Sequence, residues 1–92
     1  MRPPLPLNVP KQFLPMTVKI VILNWNGRAH LERFLPSVLA HSPKGSVVVA
    51  DNGSQDDSLA WLRESHPEVE LIVLDENYGY AGGYNRALER IE

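Results

Sequence analysis

Three short apolar runs alternate with three stretches of helical periodicity, and this alternation restricts the fold more than any other feature of the sequence. The runs are rich in β-branched residues and almost continuously apolar, as strands buried on both faces of a sheet are. A helix between successive strands makes a crossover connection, which places the strands parallel. We therefore predict an α/β fold, a three-stranded parallel sheet of order 3-2-1, with strands at 17–24, 46–51 and 69–75 and helices at 28–41, 56–66 and 81–92.

The three predicted helices have recognisable faces and ends. Pro36 lies inside the first helix and should kink it or shift its start. The second helix should begin with Asp56 or Asp57 as its N-cap and stop before Pro67. An apolar stripe at helical spacing on the first helix is formed by Leu31, Phe34, Leu35, Val38 and Leu39. The inner face of the third helix is expected to consist of Tyr84, Ala87, Leu88 and Ile91.

Residues 1–16 differ from the rest of the chain because they contain five prolines. Proline prevents a regular helix and removes a strand hydrogen-bond donor, so we expect an extended or disordered leader at 1–16. This segment has no continuous apolar stretch of the kind found in a secretory signal. Met16 directly precedes the first strand, which leaves open whether residues 1–15 are native. We expect the folded domain at 17–92.

Composition narrows the classes of partner. The 92-residue chain carries a formal net charge of −2 and has no basic run, which argues against nucleic acid. It has no cysteine, so disulfides and thiolate chemistry are excluded, and a reducing compartment such as the cytoplasm fits. The longest apolar run, IVIL, is far shorter than the roughly 20 residues that a membrane helix needs.

Polar residues close each predicted strand, namely Asn24, Asp51 and Asp75. Loops rich in asparagine and glycine follow them, with the sequences NWNG, DNGSQDD and DENYGYAGG. Ligands of open parallel sheets bind outside the carboxyl ends of the strands, so three such loops predict one binding site at a common rim. Each loop taken alone has a simpler interpretation, because Asn-Gly pairs form ordinary turns and aspartate or serine commonly starts a helix.

The run GYAGG presents a local conflict, because glycine is unfavourable in a helix and the third helix should begin just there. Two explanations remain open. Glycines let a backbone approach a ligand closely, and free N–H groups at a helix start favour a phosphate. Alternatively, Gly82 and Gly83 allow a close contact between helix and sheet. The spacing does not match the G-x-G-x-x-G dinucleotide fingerprint, and the run follows the third strand rather than the first.

Three motifs together carry a resemblance to a known family: VKIVILNWNG, VVVADNGSQDDS and DENYGYAGGYNRAL. In this order and spacing they resemble the N-terminal half of a family 2 glycosyltransferase of the GT-A fold, and among these the rhamnosyltransferase-like bacterial members. The resemblance covers about Val18 to Ile91. Ala50, Gln55 and Tyr80 are mild departures from the usual motifs. The family's metal-binding acidic motif and its catalytic base would lie beyond Glu92.

The resemblance implies an inverting transfer of sugar from a nucleotide-sugar donor, most simply a UDP- or dTDP-sugar, to an unknown acceptor. The acceptor would be a growing polysaccharide, a lipid-linked glycan or a protein. A divalent cation, Mg²⁺ or Mn²⁺, is implied for the longer protein, with no catalytic or metal residue in this part. The resemblance also implies a cytoplasmic location, with the longer protein at the cytoplasmic face of the membrane as a further expectation.

The same resemblance suggests roles for the loop residues. Asp51 would accept the imide N–H of a pyrimidine base, and the backbone of Asn24, Trp25 and Asn26 would lie along that base. Trp25 would either stack on the base or pack in the protein. The residues expected near the phosphates and the cleft are Asn77, Gly79, Gly82, Gly83 and Asn85.

Two expectations concern the chain as a whole. The alternative to half of an enzyme is a non-catalytic nucleotide-binding remnant or a subunit of a partner. In either case residues 19–23 would form an unpaired strand edge, and such edges recruit other chains. We therefore expect self-association through that edge.

Overall fold

A computed structural model describes residues 18–91 of the chain. The predicted leader at 1–16, the first residue of the predicted first strand and the last residue of the predicted third helix lie outside this range. Strands and helices alternate in the order β1 (Ile20–Asn24), α1 (Arg28–Ala40), β2 (Val47–Asp51), α2 (Ser58–Ser65), β3 (Glu70–Val73) and α3 (Gly79–Glu89). This order confirms the predicted α/β class.

The three strands form one parallel sheet in the order β1-β2-β3. The register places Asn24 opposite Asp51, and Asp51 opposite Val73. Two of the predicted polar strand ends are therefore neighbours in the sheet. The third prediction is wrong: β3 ends at Val73, and Asp75 is exposed in the loop beyond it.

The central strand β2 is buried along its whole length and supplies side chains to two hydrophobic cores. One core lies against α1 and α2 and is built from Leu31, Leu35, Val47, Val49, Leu62 and Val69. The other lies against α3 and is built from Val48, Ala50, Ile72, Leu74 and Ala87. Successive strand side chains point to opposite faces, so this division follows from the continuous apolar character of β2. The helix that follows β3 has therefore changed to the other face of the sheet.

Several details of the helices differ from the predictions. Phe34 and Leu88 were expected to face the core, but they are 53% and 56% exposed. Each lies at the edge of the apolar face of its helix, and within residues 18–91 no strand or helix covers that edge. Helix α1 starts at Arg28 and continues through Pro36 to Ala40, so the expectation that Pro36 would shift its start is wrong. Helix α3 begins at Gly79 rather than at residue 81, because the Asn77 Oδ1 accepts the N–H of Gly79 at 2.7 Å and starts the first turn earlier.

Strand β1 pairs only with β2 in the part of the chain that the structure describes, so its other edge is open. An apolar groove of about 280 Å³ lies beside this edge, between β1 and α1, and includes Trp25 and Phe34. None of the helices in residues 18–91 is both long enough and apolar enough to cross a membrane.

We expect the chain of 92 residues on its own to self-associate through the open edge of β1, because unpaired strand backbone groups recruit other chains. Val18 is 60% exposed just before β1, so Val18→Lys should reduce the association by adding a charge next to that edge. The measurement is size-exclusion chromatography with light scattering. The matched control is Val73→Lys on β3, the other edge strand, which should leave the association unchanged because Arg90 already donates to the Val73 carbonyl at 2.9 Å. A native chain that elutes as a sharp monomer would contradict the expectation.

Candidate functional site

The loops that follow β1, β2 and β3 meet at the carboxyl end of the sheet. Backbone hydrogen bonds join them directly: Asn52 N–H donates to the Asn24 carbonyl at 2.8 Å, and Leu74 N–H donates to the Asp51 carbonyl at 2.9 Å. The parallel register places all three exits at one edge. The predicted convergence of the three loops on one rim is therefore what the geometry shows.

Asp51 holds the first two loops together from a buried position. Its side chain is 1% exposed. Its Oδ1 accepts from the Asn24 Nδ2 at 2.9 Å, and its Oδ2 accepts from the backbone N–H of Ser54 at 2.9 Å. A buried carboxylate is costly unless donors surround it, and these two donors come from different loops. Each oxygen retains one further acceptor position, since a carboxylate can accept about four hydrogen bonds.

Asn26 and Ser54 extend this connection toward the start of α2. Ser54 Oγ accepts from the backbone N–H of Asn26 at 2.8 Å and from Asn24 Nδ2 at 3.2 Å. The Asn26 Oδ1 accepts in turn from the backbone N–H groups of Gln55 at 2.7 Å and Asp56 at 3.2 Å. Asn26 has a positive φ of 51°, a conformation that asparagine tolerates better than most residues. Its side-chain oxygen and its backbone N–H are thus both occupied within the protein.

Asp56 and Asp57 lie between the starts of two helices. Helix α2 has Asp57 at its N-cap position, but the carboxylate that accepts from the helix start is that of Asp56, which receives the Ser58 N–H at 3.0 Å. The other oxygen of Asp56 accepts the Arg28 N–H at 3.1 Å, at the start of α1. The Arg28 guanidinium contacts Asp57 and lies 5.3 Å from the centre of the Trp61 ring. The prediction that these acidic residues start a helix is confirmed, but they also join α1 to α2.

Asn52 makes the corresponding connection to the third loop. Its side chain is 2% exposed, and its Oδ1 accepts from the backbone N–H of Tyr78 at 3.0 Å. Its Nδ2 donates to the Asn77 Oδ1 at 3.1 Å and to the Gly79 carbonyl at 3.0 Å. The sequence suggested only a turn at Asn52-Gly53. The hydrogen-bond partners of Asn52 are 25 to 27 residues away along the chain, so a local sequence pattern does not reveal them.

The next residue, Gly53, permits the close approach of the same two loops. It has a φ of +77°, and a Cβ placed on it would lie 2.6 Å from the Glu76 carbonyl carbon and 2.7 Å from the Asn77 nitrogen. Both neighbouring atoms belong to the backbone and cannot rotate away. Glycine is therefore required here for conformation and for space.

The glycines of the GYAGG run have different surroundings. Gly79 has a φ of +75° and open space around it, which suits the entry to a helix beside a cavity. Gly83 is buried, and a Cβ on it would meet the Asn52 Nδ2 at 2.8 Å and the Leu23 Cδ1 at 3.0 Å. Gly83 therefore makes the close helix–sheet contact that the sequence left open as an alternative. A Cβ on Gly82 would meet only the Tyr78 Cβ, at 3.2 Å, and contact of Gly82 and Gly83 with a ligand stays a prediction.

A cavity of about 250 Å³ opens at this rim, lined by Leu23, Trp25, Asn52, Asn77, Gly79 and Tyr80. Three of the predicted site residues, Trp25, Asn77 and Gly79, therefore lie together. Trp25 is 54% exposed, so it does not pack into the core. The other predicted residues do not line this cavity: Asp51 is buried, and Asn85 is exposed farther along α3. Tyr80 was not predicted as a site residue; its only signal was its place within the glycine run.

The loop before α3 is fastened on its outer side as well. The Tyr78 hydroxyl donates to Asp75, and this hydrogen bond holds the pKa of the Asp75 carboxyl below its ordinary value while raising the pKa of Tyr78. The Arg86 guanidinium lies 3.7 Å from the centre of the Tyr78 ring, within the range of a cation–π interaction. Asp75 thus stabilises the loop that carries Asn77, although it does not end a strand.

No metal centre is formed by the described residues. Within residues 18–91, no group of three or more histidine, cysteine, aspartate or glutamate side chains lies close enough to hold a metal ion. The divalent cation that the resemblance implies for the longer protein stays a prediction.

The sheet is open and parallel, has a polar rim at the carboxyl ends of its strands and changes helix face after β3. These features define a Rossmann-like α/β domain. Residues 19–92 match the family described as Glycosyl transferase family 2. The chain belongs to glycosyltransferase family 2, as the motifs in its three loops predicted.

Relatives of this chain include several glycosyltransferases. An N-acetylglucosaminyl-diphospho-decaprenol L-rhamnosyltransferase of Mycobacterium tuberculosis is 36% identical over 73 residues, which make up 78% of this chain and 24% of that protein. An uncharacterized glycosyltransferase of Nostoc sp. is 31% identical over 74 residues, or 76% of this chain and 23% of that protein. A Bacillus subtilis glycosyltransferase named for teichuronic acid biosynthesis is 30% identical over 79 residues, or 82% of this chain and 31% of that protein.

The matched region thus spans between 23% and 31% of the length of these relatives. No solved structure matches the chain with significance.

Gly53→Ala should destabilise the protein more than the same change at Gly45. Both glycines have nearly the same positive φ, +77° and +78°, but a Cβ at Gly45 has nothing within 4 Å. Gly45→Ala should therefore cost only the left-handed strain of about 1–2 kcal/mol. Gly53→Ala should cost about 1–3 kcal/mol more, because the backbone at Glu76 and Asn77 must move. The measurement is urea unfolding of the full natural chain, and equal costs at the two positions would contradict the contact.

Proposed function

We propose that this chain forms the nucleotide-binding part of a glycosyltransferase that transfers a sugar from a UDP- or dTDP-sugar to an acceptor, with inversion at the anomeric carbon. The observation that carries the proposal is the cavity at the rim, which combines an exposed aromatic ring with a polar floor. Trp25 supplies a ring face, and Asn77 and the backbone at Gly79 supply polar groups. A planar base with a charged phosphate tail matches this combination.

The base is proposed to stack against Trp25. An exposed indole next to a cavity offers a free ring face, and stacking on a base is worth about 1–3 kcal/mol. The carboxylate of Asp51 is proposed to accept the imide N–H of uracil or thymine with one of its remaining acceptor positions once the loops that bury it move apart, because it is 1% exposed and does not line the cavity. The backbone of Asn24 and Trp25 would then lie along the base edge, while Asn26 holds the loop in place through Ser54 and Gln55.

The phosphates are proposed to lie near the first turn of α3. The N–H groups of Tyr78 and Gly79 already donate to the side chains of Asn52 and Asn77. The next two, at Tyr80 and Ala81, lie in the first turn, where a helix offers no acceptor of its own. Helix N-termini attract phosphate for this reason. Gly79 and Gly82 keep the approach free of side chains, and Asn85 is proposed to face the same cleft farther along α3.

The acceptor and the chemical step are proposed to depend on residues outside 18–91. The name of the Mycobacterium tuberculosis relative gives a lipid-linked glycan as its acceptor, which favours a lipid-linked or polysaccharide acceptor for this protein. We also propose that a divalent cation and the catalytic base are held outside these residues. A cytoplasmic location is part of the proposal, and the absence of cysteine from the chain is compatible with it.

Binding of a pyrimidine nucleotide should change the fluorescence of Trp25. In the full natural chain, Trp61→Phe leaves Trp25 as the tryptophan of this region, beside the cavity. We expect its emission to shift during titration with UDP or dTDP. The matched control is Trp25→Phe, in which Trp61, packed against the core on the α2 side, should not respond. No response to either nucleotide, with calorimetry also silent, would contradict the proposed function.

Asp51→Asn should weaken binding most for nucleotides that carry an imide N–H, beyond the loss common to all nucleotides that follows when an amide NH2 faces the Asn24 or Ser54 donor. Loss of a charge-assisted hydrogen bond is worth about 1.5–3 kcal/mol, or roughly tenfold to hundredfold in affinity. UDP should therefore bind the variant less tightly, as measured by calorimetry. The N3-methylated analogue of UDP has no imide proton, so its affinity should fall less than that of UDP in the variant.

An equal loss of affinity for both nucleotides would contradict direct base recognition by Asp51. The aspartate would then act only through the loops that Asn24 and Ser54 connect. Nucleotide binding without any sugar transfer by the full natural chain, tested against lipid-linked and polysaccharide acceptors, would favour a non-catalytic binding protein instead.

A further inference from the structure

The side chain of Asn52 joins the end of β2 to the start of α3 and directs all of its hydrogen-bonding groups to protein atoms. Its oxygen accepts the Tyr78 N–H, and the two hydrogens of its Nδ2 go to the Asn77 Oδ1 and the Gly79 carbonyl. With 2% exposure, it has almost no contact with solvent. Asn52 is therefore placed to act on the site through its neighbours.

The chemistry of these partners requires an amide at this position. The backbone N–H of Tyr78 can only donate, and the carbonyl of Gly79 can only accept. The orientation of the Asn52 amide is therefore fixed by backbone groups, because a flipped amide would set like groups against each other. A carboxylate of the same shape would accept from Tyr78 but would oppose the oxygens of Asn77 and Gly79.

The surrounding structure prevents the amide from turning to another arrangement. Gly83 lies so close that a Cβ there would be 2.8 Å from the Asn52 Nδ2. On the next residue, Gly53 is in close contact with the backbone of Glu76 and Asn77. The Asn77 Oδ1 is shared, since it also accepts the Gly79 N–H at 2.7 Å. Asn52, Asn77 and Gly79 thus form one connected unit, and all three line the rim cavity.

We propose that Asn52 is a positioning residue for nucleotide binding: its amide fixes the turn from Asn77 to Gly79 and so sets the cavity wall and the first-turn N–H groups of α3. This rests on the proposed function, because it deepens the account of the same site. Asn52 itself does not touch the nucleotide. Replacing the amide should release the turn, and the cost should be seen in ligand affinity as well as in stability.

The test compares Asn52→Asp with Gln55→Glu in the full natural chain. Both changes convert an amide to a carboxylate in the same loop, but within the described residues the exposed Gln55 side chain makes no hydrogen bond to the third loop. Three quantities are measured: the dissociation constants for UDP and dTDP, the thermal midpoint, and hydrogen exchange at the Tyr78 and Gly79 amides. We expect Asn52→Asp to weaken binding at least tenfold more than the control and to raise exchange at the Gly79 amide in the absence of nucleotide.

A second pair of variants approaches the same unit from the exposed residue Asn77, in case Asn52→Asp does not fold. Asn77→Asp keeps an acceptor for the Asn52 Nδ2 and the Gly79 N–H, so the Gly79 amide should stay protected. Asn77→Ala removes that acceptor, so exchange at Gly79 should rise. Equal exchange in the two variants would overturn the proposal.

The remaining outcomes distinguish the proposed positioning role from direct contact with the nucleotide and from a purely structural role. A folded Asn52→Asp variant with native affinity would overturn it, as would lost affinity with unchanged exchange, which would place Asn52 in direct contact with the nucleotide. A lowered thermal midpoint with native affinity would show a purely structural role. If the native protein binds neither nucleotide, the proposed function fails, whereas the exchange measurements still decide whether the amide fixes the turn.

Discussion

The buried carboxylate of Asp51 is the constraint on which the rest of the rim depends. A charge removed from water is tolerated only where donors replace the lost hydration. Here one donor comes from Asn24 at the end of β1 and the other from Ser54 in the loop after β2. The parallel register makes this possible, because it sets Asn24 beside Asp51. Pairing of the two strand ends and ordering of the two loops are thus one structural event.

A second constraint is the change of helix face after β3. Helices α1 and α2 cover one side of the sheet, and α3 returns beneath β1 and β2 on the other side. This return brings the start of α3 next to Asn52, which is possible because Gly83 leaves room against Asn52 and Leu23. The rim cavity lies outside the carboxyl ends of the strands, which is the general location of ligand sites in open α/β folds. The position of the site therefore follows from topology, and its polar lining follows from the loops.

The sequence predicted the features that depend on periodicity alone. A strand such as β2, apolar at nearly every position, has to be covered on both faces, so the α/β class and the shared rim of the three loops followed from it. Phe34 and Leu88 could not be predicted in the same way, because their exposure depends on what covers the flank of a helix and not on the helix itself. Asn52 was also missed as a connecting residue. Its partners are 25 to 27 residues distant, and a local pattern reveals only the turn that it begins.

The glycine run illustrates how one sequence pattern serves two physical needs. Gly79 lies at the start of α3, with a positive φ and free space toward the cavity. Glycine is favoured here because of this backbone conformation, and the missing side chain leaves the space beside the cavity open. At Gly83, one turn later, glycine is needed only because it has no side chain: Asn52 occupies the space that a Cβ would need. Packing at Gly83 holds the Asn52 amide in place, and that amide holds Gly79. The two explanations that the sequence left open are therefore compatible, since the close helix–sheet contact at Gly83 holds in place the helix start at which we propose that the phosphates bind.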